Sequence, residues 1–343
     1  MSATPFDVRA HLAAGQVIPA HPLALDAAGR LDERYQRALT RYYAGAGAGG
    51  VAVGVHTTQF AIREHGLLEP VLALAAETLA ELESGGRTPM ARIAGVCGPT
   101  KQAVAEAALA CDRGYHAALL SYGGWGEASD EALLAHARAV GEVLPVFGFY
   151  LQPAVGGRPL GYDFWCRFAA LEQVVAIKIA PFDRYATLEV VRAVGDAGRR
   201  DVALYTGNDD SIIADLLTMF PNGRRMAGGL LGQWAVWTRR AVELVQEIET
   251  RDTDASASRW LARAAVLTEA NAAIFDATNR FAGCIAGIQE VLYRQGLLGS
   301  TRCLDARDVL SRGQADAITR VCAAHPELRD DEFVVAHLDD WLR

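Results

Sequence analysis

Of the 33 basic residues in this chain 31 are arginines, and one of the two lysines, Lys178, lies inside the apolar run QVVAIKIAPF from Gln173 to Phe182. An amine taken out of water loses part of its affinity for a proton, so a buried lysine can present a neutral nucleophile to a carbonyl. Arginine stays protonated and cannot do this. The plainer alternative is a lysine that runs its stem along apolar surface and pairs its head with water or a carboxylate. Strand alternation puts Lys178 on one face with Val174 and Ala176, expected inside, and Val175, Ile177 and Ile179 on the other, expected under helices. Tyr150 closes the apolar run before it, PVFGFY, which places a phenol within reach of the amine as a proton shuttle, unless it is a core tyrosine bonded to backbone. Thr57 and Thr58, in VHTTQF, offer hydroxyl and N–H groups to a carboxylate, or serve as turn residues.

These groups need a frame. Eight short β-like runs alternate with amphipathic stretches: QVIPAH (16–21), GVAVGV (50–55), ARIAGV (91–96), HAALLS (116–121), PVFGFY (145–150), VVAIKI (174–179), DVALYT (201–206) and RMAGGLL (225–231). Helical patterns follow them, for example LDERYQRALTRYYAG, LLEPVLALAAETLAELE and ASDEALLAHARAVGEV, the last with Ser129 placed as its cap. Eight parallel strands with crossover helices close into a (β/α)8 TIM barrel of about 250 residues. A doubly wound sheet would carry a glycine-rich turn from strand into helix. GAGAGG (45–50) instead runs from helix into strand and reads as a helix stop. After the polar stretch TRDTDASAS the chain continues with helical patterns only, so residues 1–254 are expected as the barrel and 255–343 as a C-terminal helical extension packed on it.

Barrel enzymes keep their reacting groups at the C-terminal ends of the strands. There the sequence places His56 beside the threonines, Tyr122 and Trp125 in SYGGWGE, Lys178 on strand six, and Asp209 and Asp210 in TGNDDS. The two aspartates are read as helix caps or, less economically, as Mg²⁺ ligands. Trp125 and Tyr122 suit either stacking on a substrate or a subunit rim. Neither the histidines nor the six scattered cysteines show metal-ligand spacing, and the cysteines read as small reduced hydrophobes. A formal charge of −8 without basic–aromatic runs argues against nucleic acid, and no segment has the apolar length of a membrane span. The expectation is a cytoplasmic protein with neither metal nor nucleotide cofactor.

Six motifs in order, HTTQF, IAGVCG, FYLQP, VVAIKIA, YTGNDD and GGLLG, resemble the dihydrodipicolinate synthase/N-acetylneuraminate lyase family of Schiff-base barrel enzymes, over about residues 14–250. The resemblance implies that Lys178 forms an imine with a 2-oxo acid such as pyruvate, that Tyr150 relays protons, and that Thr57 and Thr58 hold the substrate carboxylate. It also implies that Gly207 and Leu230 or Leu231 border the bound acid, and that the protein assembles as a homodimer or homotetramer. The family's Gly-Thr-Thr-Gly-Glu is replaced here by His-Thr-Thr-Gln-Phe, which brings His56 or Gln59 toward the pocket. Arg158, in AVGGRPL, is the candidate for the arginine that synthases use on a second carboxylate. The implied activity is a Schiff-base lyase acting on a small 2-oxo acid by aldol cleavage or addition, or by dehydration. Dihydrodipicolinate-type condensation, a non-catalytic keto-acid or sugar-acid binding barrel, and a metal-dependent aldolase are the competing readings.

Overall fold

The computed structural model describes residues 6–250 and 257–343. The first five residues, the core of TRDTDASAS and the boundary expected at 254 lie outside the described residues. Eight strands form one parallel sheet: β1 (Val17–Pro19), β2 (Gly50–Val53), β3 (Ala91–Val96), β4 (Ala117–Leu120), β5 (Val146–Leu151), β6 (Val174–Ala180), β7 (Ala203–Thr206) and β8 (Gly228–Leu231). Their order is β1-β8-β7-β6-β5-β4-β3-β2. A parallel bridge between Ala20 and Ala52, with the His21 N–H donating to the Ala52 carbonyl at 2.8 Å, joins the two ends into a barrel. All eight runs expected from the sequence are strands, with shifted ends.

The helices are α1 (Val8–Ala13), α2 (Glu33–Ala46), α3 (Leu68–Ser84), α4 (Thr100–Asp112), α5 (Asp130–Gly141), α6 (Tyr162–Ala169), α7 (Arg184–Asp196), α8 (Ile212–Leu217), α9 (Thr238–Thr250), α10 (Ala257–Ile274), α11 (Cys284–Arg294), α12 (Gln314–Ala324) and α13 (Asp331–Trp341). Local chemistry sets their ends. Ser129 caps α5 by accepting from the Ala132 N–H, and α2 stops where Gly47 takes φ 93°, a left-handed conformation that favours glycine. The segment DARDVL, expected to be helical, is instead a turn ahead of α12. There the Asp305 carboxylate accepts from the backbone N–H and guanidinium of Arg307 at 2.9 and 3.0 Å, competing with helix formation.

Two apolar layers result. Ile18, Ile93, Leu119, Phe147, Phe149, Ala176, Tyr205 and Leu230 fill the barrel, with Leu12 of α1 closing its floor and Tyr205 donating to the Leu12 carbonyl at 2.8 Å. A second layer packs the outer strand faces against the helices and includes Val174, Ile177 and Ile179. The expected alternation on β6 therefore needs one correction. Val146 pairs with Val174 but Phe147 pairs with Ala176, so β6 carries one extra residue there, and Val175 joins the interior while Val174 turns outward. Beyond that irregularity Ala176, Lys178 and Ala180 face inward as expected.

The C-terminal helices pack on the barrel's own helices, α10 on α8 and α13 on α2. Asp330 is their buried polar anchor. It accepts from the Tyr42 hydroxyl at 2.8 Å, the Arg239 N–H at 3.1 Å and the Gln295 amide at 2.9 Å, joining α2, α9, α11 and the turn before α13. Removing it leaves the Tyr42 hydroxyl and the Arg239 N–H without this acceptor, while the Gln295 amide keeps Asp331 at 2.8 Å. Asp330→Ala should lower the free energy of unfolding by about 2–4 kcal/mol in a chemical denaturation experiment. A loss within about 0.5 kcal/mol would show that the anchor is dispensable.

Candidate active site

Lys178 stands near the C-terminal end of β6, paired in register with Phe149 of β5 and Tyr205 of β7, so all three point into the barrel. It is 8% exposed, and its Nζ lies 4.5 Å from the centroid of the Phe149 ring, over the face. Gly207, just beyond β7, makes room for it. A Cβ at position 207 would come within 2.6 Å of Lys178 Cε and 2.7 Å of Ala180 Cβ, closer than packed carbons approach.

The amine borders a cavity of about 60 Å³ lined by Thr57, Phe149, Gln152, Lys178, Gly207 and Asp209, among others. At about 30 Å³ per water in the liquid that is the volume of about two waters, so the space suits only a small ligand. Burial pulls the Lys178 pKa down to about 8, against the opposing pull of Asp209 and Cys284. Asp209 is itself buried, which pushes its carboxyl up to about 7, while the ammonium and the Gln233 N–H, donating to Oδ1 at 2.8 Å, hold it back. His56, on the same cavity, is brought down to about 4 by burial and then by Lys178, so its imidazole is neutral at pH 7. The site is an amine and a carboxyl, each poised near neutrality, in an apolar chamber.

Of the residues singled out from the sequence, Lys178, His56, Thr57, Gly207 and Asp209 meet on this cavity. Thr57 turns its hydroxyl to the Ala20 carbonyl at 2.8 Å. The Thr58 hydroxyl donates to the His21 carbonyl at 2.6 Å and accepts from the Gly54 and Val55 N–H groups, so it braces the turn rather than facing the cavity. Gln59 braces the extension, its carbonyl oxygen accepting from the Leu304 N–H at 2.7 Å. Leu230 belongs to the barrel interior beneath the cavity, and Leu231 to the outer layer.

Tyr150 requires a correction. On β5 Phe147, Phe149 and Leu151 face inward while Val146 and Tyr150 pack with the helices, so Tyr150 lies beside Trp165, ring centroids 5.2 Å apart. Its hydroxyl accepts from the Leu160 N–H at 3.4 Å. The residue that reaches Lys178 from that strand is Phe149. Parity moves Tyr122 in the same way. It follows Ala118 and Leu120 outward, packs between His136 and Phe164, and donates to the Leu133 carbonyl at 3.4 Å. Trp125 donates to the Gly98 carbonyl at 3.2 Å and packs on His136, and Arg158 donates to the Ala128 carbonyl at 2.9 Å. None of these four lines the cavity. The reading of Asp209 as a helix cap also fails, because its carboxylate accepts from Gln233, after β8, rather than from the start of α8.

Several lining residues lay outside the sequence reading of the site, among them Phe149, Leu151, Gln152, Phe182, Phe275, Phe281 and Cys284. The last three come from the extension, where no local pattern marks them as facing a cavity. Phe182, beyond β6, and Phe281 pack edge-to-face with ring centroids 5.6 Å apart. Both are held at left-handed φ, 53° and 67°, as are Asp276 and Arg280 at 57° and 56°. Such conformations cost about 1–3 kcal/mol each and persist only where surrounding contacts enforce them. Here Asp276 does so by accepting from the Gly283 N–H at 3.0 Å and the Ser311 hydroxyl at 2.5 Å. Among the described residues no group of three or more His, Cys, Asp or Glu is placed to hold a metal ion, and no helix is long and apolar enough to cross a membrane.

Residues 13–225 match the model of the dihydrodipicolinate synthetase family. No curated protein sequence matches the chain. Solved structures similar to it include dihydrodipicolinate synthase DapA-2 from Bacillus anthracis, with TM-score 0.75, 18% identity, and coverage of 91% of this chain and 98% of that one. CdNal from Clostridium difficile, solved in complex with mannosamine, gives 0.74, 15%, 90% and 98% in the same order. YagE, a prophage protein of the dihydrodipicolinic acid synthase family from E. coli K12 solved in complex with pyruvate, gives 0.75, 17%, 92% and 98%. At these identities the likeness establishes the fold.

The ionisation of Lys178 has a direct test. Its pKa lies below the ordinary lysine value, so the neutral, reactive amine appears as pH rises through about 8. Reductive methylation read by peptide mass should show Lys178 labelling rise across that range, with the exposed Lys101 as reference. In Asp209→Asn the rise should move to lower pH, because the carboxylate that favours the ammonium is gone. An unmoved profile would mean that the two groups do not interact.

Proposed function

Because the chain belongs to the dihydrodipicolinate synthetase family, we propose that it is a Schiff-base lyase in which Lys178 condenses with a small 2-oxo acid. The observation that carries this reading is Lys178 itself, an inward-facing amine drawn down toward neutrality by burial at the edge of a small cavity. The pyruvate complex of YagE supports a keto acid as the ligand class.

In the proposed reaction the neutral Nζ attacks C2 of the acid, the carbonyl oxygen takes up protons, and it leaves as water from the carbinolamine. The resulting protonated imine withdraws electrons from the C3 bond. Loss of a C3 proton then gives an enamine that adds to an aldehyde, and the reverse sequence cleaves an aldol. Burial of the amine removes the water that would otherwise hold it protonated.

A proton carrier is needed at carbinolamine collapse and at C3. The Tyr150 hydroxyl is occupied in the helix layer. His56 is neutral with its pKa far down, and burial drives the Cys284 thiol far up, so neither exchanges a proton readily near pH 7. Asp209 shares the cavity and titrates near neutrality, which matches a general acid–base. We assign it that role, with Thr57 and the first turn after β2 beside the substrate carboxylate. Arg158 bonds to Ala128 away from the cavity, so condensation of a substrate bearing a second carboxylate is the weaker reading.

Incubation with pyruvate and borohydride should leave a reduced adduct on Lys178, and Lys178→Arg should abolish it. If no 2-oxo acid labels Lys178, the imine reading fails. Exchange of the C3 protons of pyruvate in D₂O, followed by NMR, should fall about 100-fold in Asp209→Asn while borohydride trapping persists. Exchange at the native rate would remove Asp209 from the mechanism.

A further inference from the structure

We infer that this cavity selects a short 2-oxo acid whose chain beyond C4, the carbon that bears the aldol hydroxyl, is apolar and uncharged, with the wall of Phe182, Phe275 and Phe281 as the selecting surface. The inference rests on the imine reading above and specifies what that imine carries.

Lys178 is the single cation among the residues lining the cavity, and Asp209 the single carboxylate. Once Lys178 is an iminium, its charge is matched by the C1 carboxylate of the bound acid, and Asp209 adds negative charge. No cation is left for a second carboxylate. Arg158, the one arginine that the sequence suggested for that purpose, is held by the Ala128 carbonyl. A chain leaving C2 toward the extension meets Phe182, Phe275 and Phe281, whose side chains offer neither donor nor acceptor. A charged tail would lose its water there without a counter-ion, whereas an alkyl tail exchanges water for ring faces.

The wall is deliberately held. Phe182 and Phe281 interlock edge-to-face across the junction between the barrel and the extension, and both sit at backbone angles that glycine, not phenylalanine, adopts freely. Gly232, after β8, is likewise small enough for the Phe275 ring, since a Cβ there would fall 2.9 Å from it. Strain kept in two aromatic residues that close a cavity points to a use for the rings themselves.

The test compares acids of equal chain length on the full-length protein. 2-Oxopentanoate and 2-oxoglutarate differ only in ending in a methyl group or a carboxylate. At limiting concentration with borohydride, 2-oxopentanoate should label Lys178 at least about tenfold more efficiently. Phe281→Gly deletes the ring while supplying the residue suited to φ 67°, so the turn is retained and the preference should fall toward equality. Phe281→Leu, which keeps an apolar group, should preserve most of it. Equal or better labelling by 2-oxoglutarate, or an unchanged preference in Phe281→Gly, would overturn the inference. Thermal stabilisation by the same two acids separates it from the imine reading. A preference for 2-oxopentanoate in stabilisation without labelling of Lys178 would sink the imine and leave the wall standing. Labelling by both acids alike would do the reverse.

Discussion

An amine can be kept short of full protonation only where water is kept from it, and the architecture around Lys178 meets that demand. Residues before it on β6 form the barrel's packed interior, Phe149 lays a ring face against Nζ, and the missing side chain at Gly207 lets the lysine stem pass. Desolvation alone would leave a group with no proton partner. Asp209, fixed by the Gln233 N–H, supplies one whose own burial pushes it the opposite way, so the two values approach each other. Each half of the pair thus tempers what burial does to the other.

That arrangement needs a roof, and the C-terminal helices furnish part of it. Phe275, Phe281 and Cys284 all belong to the extension yet line the barrel's cavity. They are held by polar clamps remote from the chemistry. Asp276 pins the strained turn to Gly283 and Ser311, and Asp330 ties the extension to α2 and α9. Without those three side chains the cavity beside Lys178 would lose part of its lining.

The register between β5 and β6 shows how one residue decides chemistry. Because β6 carries an extra residue opposite Val146 and Phe147, Phe149 rather than Tyr150 becomes the in-register partner of Lys178. The phenol then serves packing, with Trp165 as its neighbour, and Asp209 is the carboxyl that shares the cavity with Lys178. The same parity sends Tyr122 outward with Ala118 and Leu120. Residues adjacent along the chain point to opposite faces of a strand, so a motif match that is right in position does not settle direction.

The eight strands, their helices and the inward lysine were legible in the sequence because they rest on local periodicity and on the rarity of lysine in an arginine-rich chain. Ser129 as a cap and the helix stop at Gly47 were legible for the same reason, since capping is decided within a few residues. Tertiary structure alone decided which face Tyr150 and Tyr122 occupy, that Asp209 bonds to Gln233 rather than capping α8, and that three residues from the extension close the cavity. Each of these depends on contacts between segments far apart in the chain, whether a strand register, a loop-to-loop hydrogen bond or a packed aromatic pair. Periodicity carries no information about such distances. The sequence by itself determined that a lysine stands inside a barrel, and the tertiary structure decided what surrounds it.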